Sequence, residues 1–328
     1  MPTKIQWTIN SDGSQGETWN PVSGCRRKSP GCLNCYAERQ AHRLSGNPNE
    51  KIASLYGGVT QITNGRPGWS GKAGFSESAL MKPFLTRKPT TYFISLSDLF
   101  YEERPEADID RVFAVIALCQ QHRFQVLTKY TERMHSYLSD YSARERIGSE
   151  MWFLIEELVD PNSRRSDDIR ATAPDVENED AWPLPNLWLG VSCEDQKNAD
   201  ERIPLLLQTP AAVRFLSLEP LLGPIDLEYP KSLFPDGPAM CCNGIDCGCM
   251  GIPTEPPLVC EVDWVIAGSE SGPGARPAQE QWFRDIKNAC KRWHTPFFLK
   301  QYADANGHKI GTPELDGQQW MQMPKVTA

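Results

Sequence analysis

Residues 187–219 read LWLGVSCEDQKNADERIPLLLQTPAAVRFLSLE. The stretch opens on an apolar run, LWLGVS, passes through a polar segment with helical character over 195–207, and closes on a second apolar run, VRFLSL (213–218), that is followed by Glu219. Each run is apolar at consecutive positions, which suits a strand covered on both faces, as in a parallel sheet. A strand, a helix and a second strand form one crossover unit, and such units imply an α/β fold. The same rhythm extends in both directions. Further strands are expected at 92–97 (YFISLS), 124–128 (FQVLT), 264–268 (WVIAG) and 296–300 (PFFLK), with a shorter one at 17–21. Helices are expected at 36–44, 108–121 and 279–292. In the second of these Ile109, Val112, Phe113 and Ile116 fall on one face. The expected fold is a parallel partial (β/α) barrel in a single domain covering 1–328.

Two segments break the rhythm. Residues 156–180 carry nine acidic against three basic side chains and few apolar ones after Val159, the composition of an acidic flexible insertion. Residues 227–262 are rich in Cys, Pro and Gly, and read as a second insertion before the strand at Trp264.

The 328 residues suit one α/β barrel, and 40% hydrophobic content is enough to bury a sizeable core. The net charge of −8 hides an asymmetry, because residues 1–90 hold twelve Lys/Arg against five Asp/Glu. The polar N-terminus lacks the apolar core of a signal peptide, and no run is long enough to span a bilayer. A cytoplasmic protein without a membrane partner is expected. Eleven cysteines in a reducing compartment point to metal binding or redox chemistry rather than a disulfide framework.

Residues 18–44 read TWNPVSGCRRKSPGCLNCYAERQAHRL. Cys25, Cys32 and Cys35 are separated by six and then two residues, and together make a soft thiolate site. A structural zinc closes its shell with four ligands, for which His42 is the local candidate. Three thiolates suit instead a four-iron cluster that keeps one iron open for a cofactor or substrate. Arg26, Arg27 and Lys28 lie inside the loop, where they could offset the cluster's negative charge or contact a polyanion.

The CYA run after Cys35 resembles the spore-photoproduct-lyase-like branch of radical S-adenosylmethionine (SAM) proteins. Over nearly its full length the chain is more similar to a phage-associated family of unknown function with a three-cysteine motif. The runs that carry this likeness are ETWNPVSGC, SPGCLNCYAE, VLTKYTERM, NLWLGVSCE, RFLSLEPLLGPI, DWVIAGSESGPGARP and FFLKQY. The resemblance implies a barrel of the radical SAM type, with a 4Fe-4S cluster on Cys25, Cys32 and Cys35. It implies SAM as cofactor and an electron donor such as flavodoxin or ferredoxin. The radical SAM spacing of family members has three residues between the first two cysteines, where this chain has six.

Several strands end in polar side chains, and in parallel α/β folds ligands bind at those C-terminal ends. Asp98 and Glu219 are therefore candidates for the SAM amino or ribose hydroxyl groups. Lys300 is a candidate for its carboxylate. The loop 268–277, GSESGPGARP, joins a strand to a helix; its glycines permit close approach of a ligand, and Glu270 and Arg276 supply charge. A second cysteine group lies at Cys241, Cys242, Cys247, Cys249 and Cys260. Cys242, Cys247, Cys249 and Cys260 are enough for a closed site holding zinc or an auxiliary cluster, with Cys241 as a spare ligand. The expected function is SAM-dependent radical chemistry, through a 5′-deoxyadenosyl radical, on a small molecule, nucleotide or nucleic acid. The alternative is a non-enzymatic zinc protein that contacts nucleic acid through its basic N-terminal third.

Overall fold

Apolar runs buried on both faces become the central strands of the computed structural model, and the amphipathic segments between them become helices. The structure describes residues 2–158, 164–229, 257–272, 274–303, 309–311 and 313–325. The fold is mixed α/β, and its main strands pair in parallel within each unit, except the last, which runs antiparallel to its neighbour. The single domain expected over 1–328 divides into two compact units: Met1–Val191 with Gln208–Val213, and Ser192–Leu207 with Arg214–Ala328.

The first unit begins with two short strands, β1 (Glu17–Thr18) and β2 (Val22–Ser23). The cysteine loop follows, and then helices α1 (Tyr36–Ser45) and α2 (Glu50–Tyr56). A hairpin comes next, β3 (Thr60–Thr63) and β4 (Arg66–Trp69). Its turn is Asn64-Gly65, both at positive φ, as a two-residue turn between twisted strands requires. After β5 (Gly74–Phe75), α3 (Glu77–Leu80) and α4 (Lys82–Leu85), the chain enters β6 (Thr91–Phe93). Then come α5 (Glu106–Leu118), β7 (Arg123–Thr128), α6 (Thr131–Ser139), α7 (Tyr141–Leu158), α8 (Arg164–Thr172) and β8 (Leu187–Ser192). The strands pair in the order β1-β6-β7-β8, all parallel.

The second unit holds α9 (Gln196–Gln208), β9 (Val213–Leu218), β10 (Trp264–Gly268), α10 (Glu280–Arg292) and β11 (Phe297–Ala303). It closes with β12 (Lys309–Gly311), β13 (Glu314–Leu315) and β14 (Gln318–Gln319). Strand β10 lies parallel between β9 and β11, and β12 runs antiparallel to β11. Every residue of β10 is buried, while α10 turns Phe283, Ile286, Ala289 and Cys290 inward together with Lys287.

The segment 156–180, expected to be a flexible insertion, is helical over α8. Arg170 pairs with Glu156 at 3.1 Å, so opposite charges along the segment hold it against α7. Residues 159–163 and most of the expected 227–262 insertion lie outside the described residues. No described helix is long and apolar enough to cross a membrane.

Candidate functional site: the cysteine loop of the first unit

The loop from Gly24 to Cys35 hangs between β2 and α1, and its course is set by hydrogen bonds from well outside it. Asn20 comes first. Its Oδ1 accepts from the backbone N–H groups of Ser95 and Leu96, at 2.9 and 3.2 Å, and so ties the end of β1 to the chain leaving β6. Ser97 Oγ donates to the Val22 carbonyl at 3.1 Å, and Gly24 bridges Ser97 in parallel register. Trp19, fully buried, donates its indole N–H to Ala79 O at 2.9 Å. The loop therefore starts beside the C-terminal end of β6, where parallel α/β folds bind ligands.

Gly24 turns the chain at φ +89°, and a Cβ there would stand 2.0 Å from the Lys72 carbonyl oxygen, so no other residue fits. Arg104, whose side chain is fully buried, donates to Ser23 O (2.6 Å), Gly24 O (3.4 Å) and Gly74 O (3.0 Å), and pairs with Asp108 at 3.4 Å. Its guanidinium thereby binds both β2 and β5. Burial holds its pKa below the ordinary arginine value, and Asp108 opposes that shift.

Each cation within the loop has an acidic partner. Arg27 makes two bonds to Glu38, at 2.8 and 2.7 Å, and Glu38 is buried on α1. Arg26 meets Glu103 at 2.9 Å, and Lys28 meets Glu102 at 3.4 Å. The Lys28 ammonium also lies 5.1 Å from the centre of the Tyr130 ring, and Tyr130 Oη donates to Arg26 O at 2.9 Å. Because Tyr130 lies two residues past the end of β7, the loop is held from beyond the ends of both β6 and β7.

Cys32 closes a 3₁₀ turn, Pro30–Cys32, and Cys35 stands at the N-terminal cap position of α1. All three thiols are half-buried. Burial pushes the Cys25 thiol well above its ordinary pKa, and the charges of Asp98, Cys35 and Cys32 add to the effect. Burial also raises Cys35, against the pull of the Glu38 and Ala37 backbone N–H groups at the start of α1. Cys25 thus feels the charge of Cys35 and Cys32, and Cys35 that of Cys32. Among the described residues, no three His, Cys, Asp or Glu side chains stand in a metal-holding group. The donor set fits a cationic group nonetheless. A soft metal would supply positive charge against the upward push on Cys25 and Cys35, and sulfur is its natural ligand. His42, the local candidate for a fourth zinc ligand, shares a 3.2 Å hydrogen bond with Thr60 of β3 through Nδ1.

Asp98 is drawn into this site, as its place after a strand suggested, but as an anchor. Its carboxylate accepts from Thr128 Oγ1 (2.6 Å), Lys129 N (2.9 Å) and Phe100 N (3.0 Å). It fixes the turn after β7 to the turn after β6. Burial raises its pKa, and these three bonds, with Arg104, act the other way.

The other four candidates lie in the second unit. Lys300 Nζ donates to both oxygens of Glu219, at 2.7 and 2.8 Å, and Gln301 Nε2 reaches Glu219 at 3.3 Å. Arg276 grips Glu270 through its side chain at 2.5 and 3.0 Å, and its backbone N–H donates to the same carboxylate at 2.9 Å. The glycine-containing loop expected to hold an anion is thus closed on its own carboxylate. Of the second cysteine group, Cys241, Cys242, Cys247 and Cys249 fall outside the described residues. Cys260 is exposed and borders a cavity of about 750 Å³ that Cys290, Lys287, Phe297 and Trp320 also line.

The chain belongs to a family of proteins of unknown function, DUF5131. The family model matches residues 2–324, which takes in both units. No curated protein and no solved structure matches the chain.

Arg104, Tyr130 and Glu38 were not among the expected site residues. Two of them carried a faint signal in the sequence. Glu38 stands in the first turn of α1, three residues after Cys35. Tyr130 follows the polar end of β7. Arg104 precedes a proline and a helix, which gives no hint of burial.

Proposed function

We propose that this protein is a radical SAM-type enzyme, with a 4Fe-4S cluster on Cys25, Cys32 and Cys35 in a parallel partial (β/α) barrel. One observation carries the reading: three thiols on a single loop that is tied to the C-terminal ends of two parallel strands, with the charges of Cys35 and Cys32 reaching Cys25. When bound, such a cluster supplies one-electron chemistry and an open iron site for SAM.

The chain's own residues prepare the loop for that group. Arg104 and Gly24 set where Cys25 emerges. Arg27 and Glu38 brace the stretch between Cys25 and α1. The first turn of α1 directs the N–H groups of Ala37 and Glu38 toward Cys35, which opposes the rise that burial imposes there. Asp98 locks the two strand ends, so the floor of the site keeps its shape. Cations inside the loop are already paired with Glu38, Glu102 and Glu103, so they set its shape as much as its charge.

Glu219, Glu270, Arg276 and Lys300, all of the second unit, are proposed by themselves as contacts for SAM. Their present pairings keep four charges preformed and oriented, and a ligand with its own ammonium and carboxylate can exchange for either partner. Arg276→Ala is expected to weaken SAM binding by ~1.5–3 kcal/mol, as loss of a charged hydrogen bond does. Calorimetric titration of the anaerobic, iron-loaded protein measures this, and unchanged affinity removes Arg276 from the site. The reading itself is tested by reducing the anaerobic protein with SAM present. Production of 5′-deoxyadenosine supports it. An iron-free, zinc-loaded protein inert to SAM contradicts it.

A further inference from the structure

The segment from Gly24 to Phe75 has a charge unlike that of the rest of the chain. It holds eight Lys/Arg against two Asp/Glu, in a protein whose net charge is −8. Three of the eight, Arg26, Arg27 and Lys28, hold acidic partners in and beside the cysteine loop. The other five, Arg39, Arg43, Lys51, Arg66 and Lys72, are exposed and form no ion pair among the described residues.

These side chains share one small body. Helices α1 and α2 pack together, the β3–β4 hairpin lies on α1, and Ala37, Ala41, Leu55, Tyr56 and Val59 make a common core. With Ala37, Glu38 and Ala41 turned inward, the outer face of α1 presents Tyr36, Arg39 and Arg43, at the i, i+3, i+7 spacing of a single stripe. Tyr36 is 55% exposed, although its hydroxyl is tied to Ser95 O at 2.8 Å, so the ring is held in place with much of its surface open. It is the residue next to Cys35. On the hairpin side the glycines keep the backbone bare. A Cβ on Gly71 would meet the Arg26 guanidinium at 3.3 Å, and one on Gly58 would meet the Lys72 ammonium at 3.6 Å.

Unpaired cations spaced along an exposed stripe with a fixed aromatic ring are the elements of a single-stranded nucleic-acid surface, where cations follow the phosphates and a base stacks on the ring. We propose that this basic body binds single-stranded nucleic acid and brings a nucleotide to the cysteine loop, with Tyr36 as the stacking platform. The inference rests on the function proposed above for that loop and assigns its substrate class.

The test is fluorescence anisotropy with a labelled 20-nucleotide single strand, titrated at several salt concentrations, with iron measured on the same preparations. The wild type is expected to bind, with affinity falling steeply as salt rises. Replacing Arg39, Arg43, Arg66 and Lys72 together by Gln should weaken binding at least tenfold. It should also flatten the log–log salt slope by about 3, because each lost phosphate contact removes roughly 0.7. Tyr36→Ala should weaken binding about tenfold, a loss in the range of one stacked base, while Tyr36→Phe keeps it. Thermal melts establish that the variants fold, and Arg66→Gln with Lys72→Gln serves if the fourfold variant does not. Absence of binding by the wild type at low salt overturns the inference. So does wild-type affinity in the folded charge variants, or equal displacement of the strand by polyglutamate, which would mark the surface as one for acidic protein. Strand binding by a protein that takes up no iron would sink the cluster reading alone. Iron uptake without strand binding would sink this inference alone.

Discussion

Arg104 illustrates how a residue far from the cysteines in chemistry still governs them. Its buried guanidinium donates to three carbonyl oxygens on the two sides of the loop's origin. Arg104→Ala strands those acceptors, and a cost of about 2–4 kcal/mol is expected, because buried groups left unpaired lose their full hydration. Urea unfolding would measure it; a loss below 0.5 kcal/mol, roughly the effect of an ordinary surface change, would contradict the assigned role. Gly24→Ala acts on the same turn by another route. The left-handed backbone and the contact with Lys72 O leave no room for a methyl group, and iron content should fall with stability. Asp316 offers a test by pH. It accepts from Lys287 and, at 2.9 Å, from Arg284, and these bonds hold its carboxyl below the usual range. A depressed folded-state pKa contributes stability above the unfolded value, near 3.9, and loses it as pH falls through the folded value. Asp316→Asn should therefore be less stable than the wild type at pH 6, and the difference should close as pH falls from about 4 toward 2. A gap that stays constant over that range would show that charge is not what Asp316 contributes.

At the scale of elements, the bidentate Arg27–Glu38 pair joins the loop to α1. Glu38→Ala frees Arg27 and should speed amide exchange over residues 26–35, with only about 0.5–1 kcal/mol lost because the half-exposed Arg27 regains water. Exchange unchanged in that stretch would mean the loop is held by its other ties alone. The elements differ in how plainly the sequence announced them. Strands β8, β9 and β10 have the bounds read from their apolar runs, because burial on both faces writes itself as consecutive large apolar residues. Strand β6 is shorter than YFISLS suggested. Its last residues leave the ladder to bind Asn20 and Val22, a tertiary demand that no local pattern carries. Helices α6 and α7 went unread, although Met134, Leu138, Ala143, Ile147, Met151 and Leu154 recur at near-helical spacing. The Asn64-Gly65 turn was an equally available signal for β3 and β4. Among the site residues, the cysteines and Asp98 were legible from type and place. Arg104 and Tyr130 were not, since their partners are backbone carbonyls distant in sequence.

At the scale of the whole molecule, the parallel α/β order was legible, and the division into two compact units was not, because nothing in composition marks the passage at Val191. A second metal site, expected from the sequence on the other cysteine group, is proposed as separable from the first. In the variant lacking Cys25, Cys32 and Cys35, metal should remain on Cys242, Cys247, Cys249 and Cys260; a variant with neither zinc nor iron would remove the second site. The central claim concerns the first. Iron and acid-labile sulfide should be measured on anaerobically purified wild type and on Cys25→Ala, Cys32→Ala and Cys35→Ala, each beside its visible spectrum. The account predicts a brown wild type, and a loss of about four iron and four sulfide per chain in every one of the three variants, as a cluster with three protein ligands requires. Full retention of iron by all three single variants would contradict it.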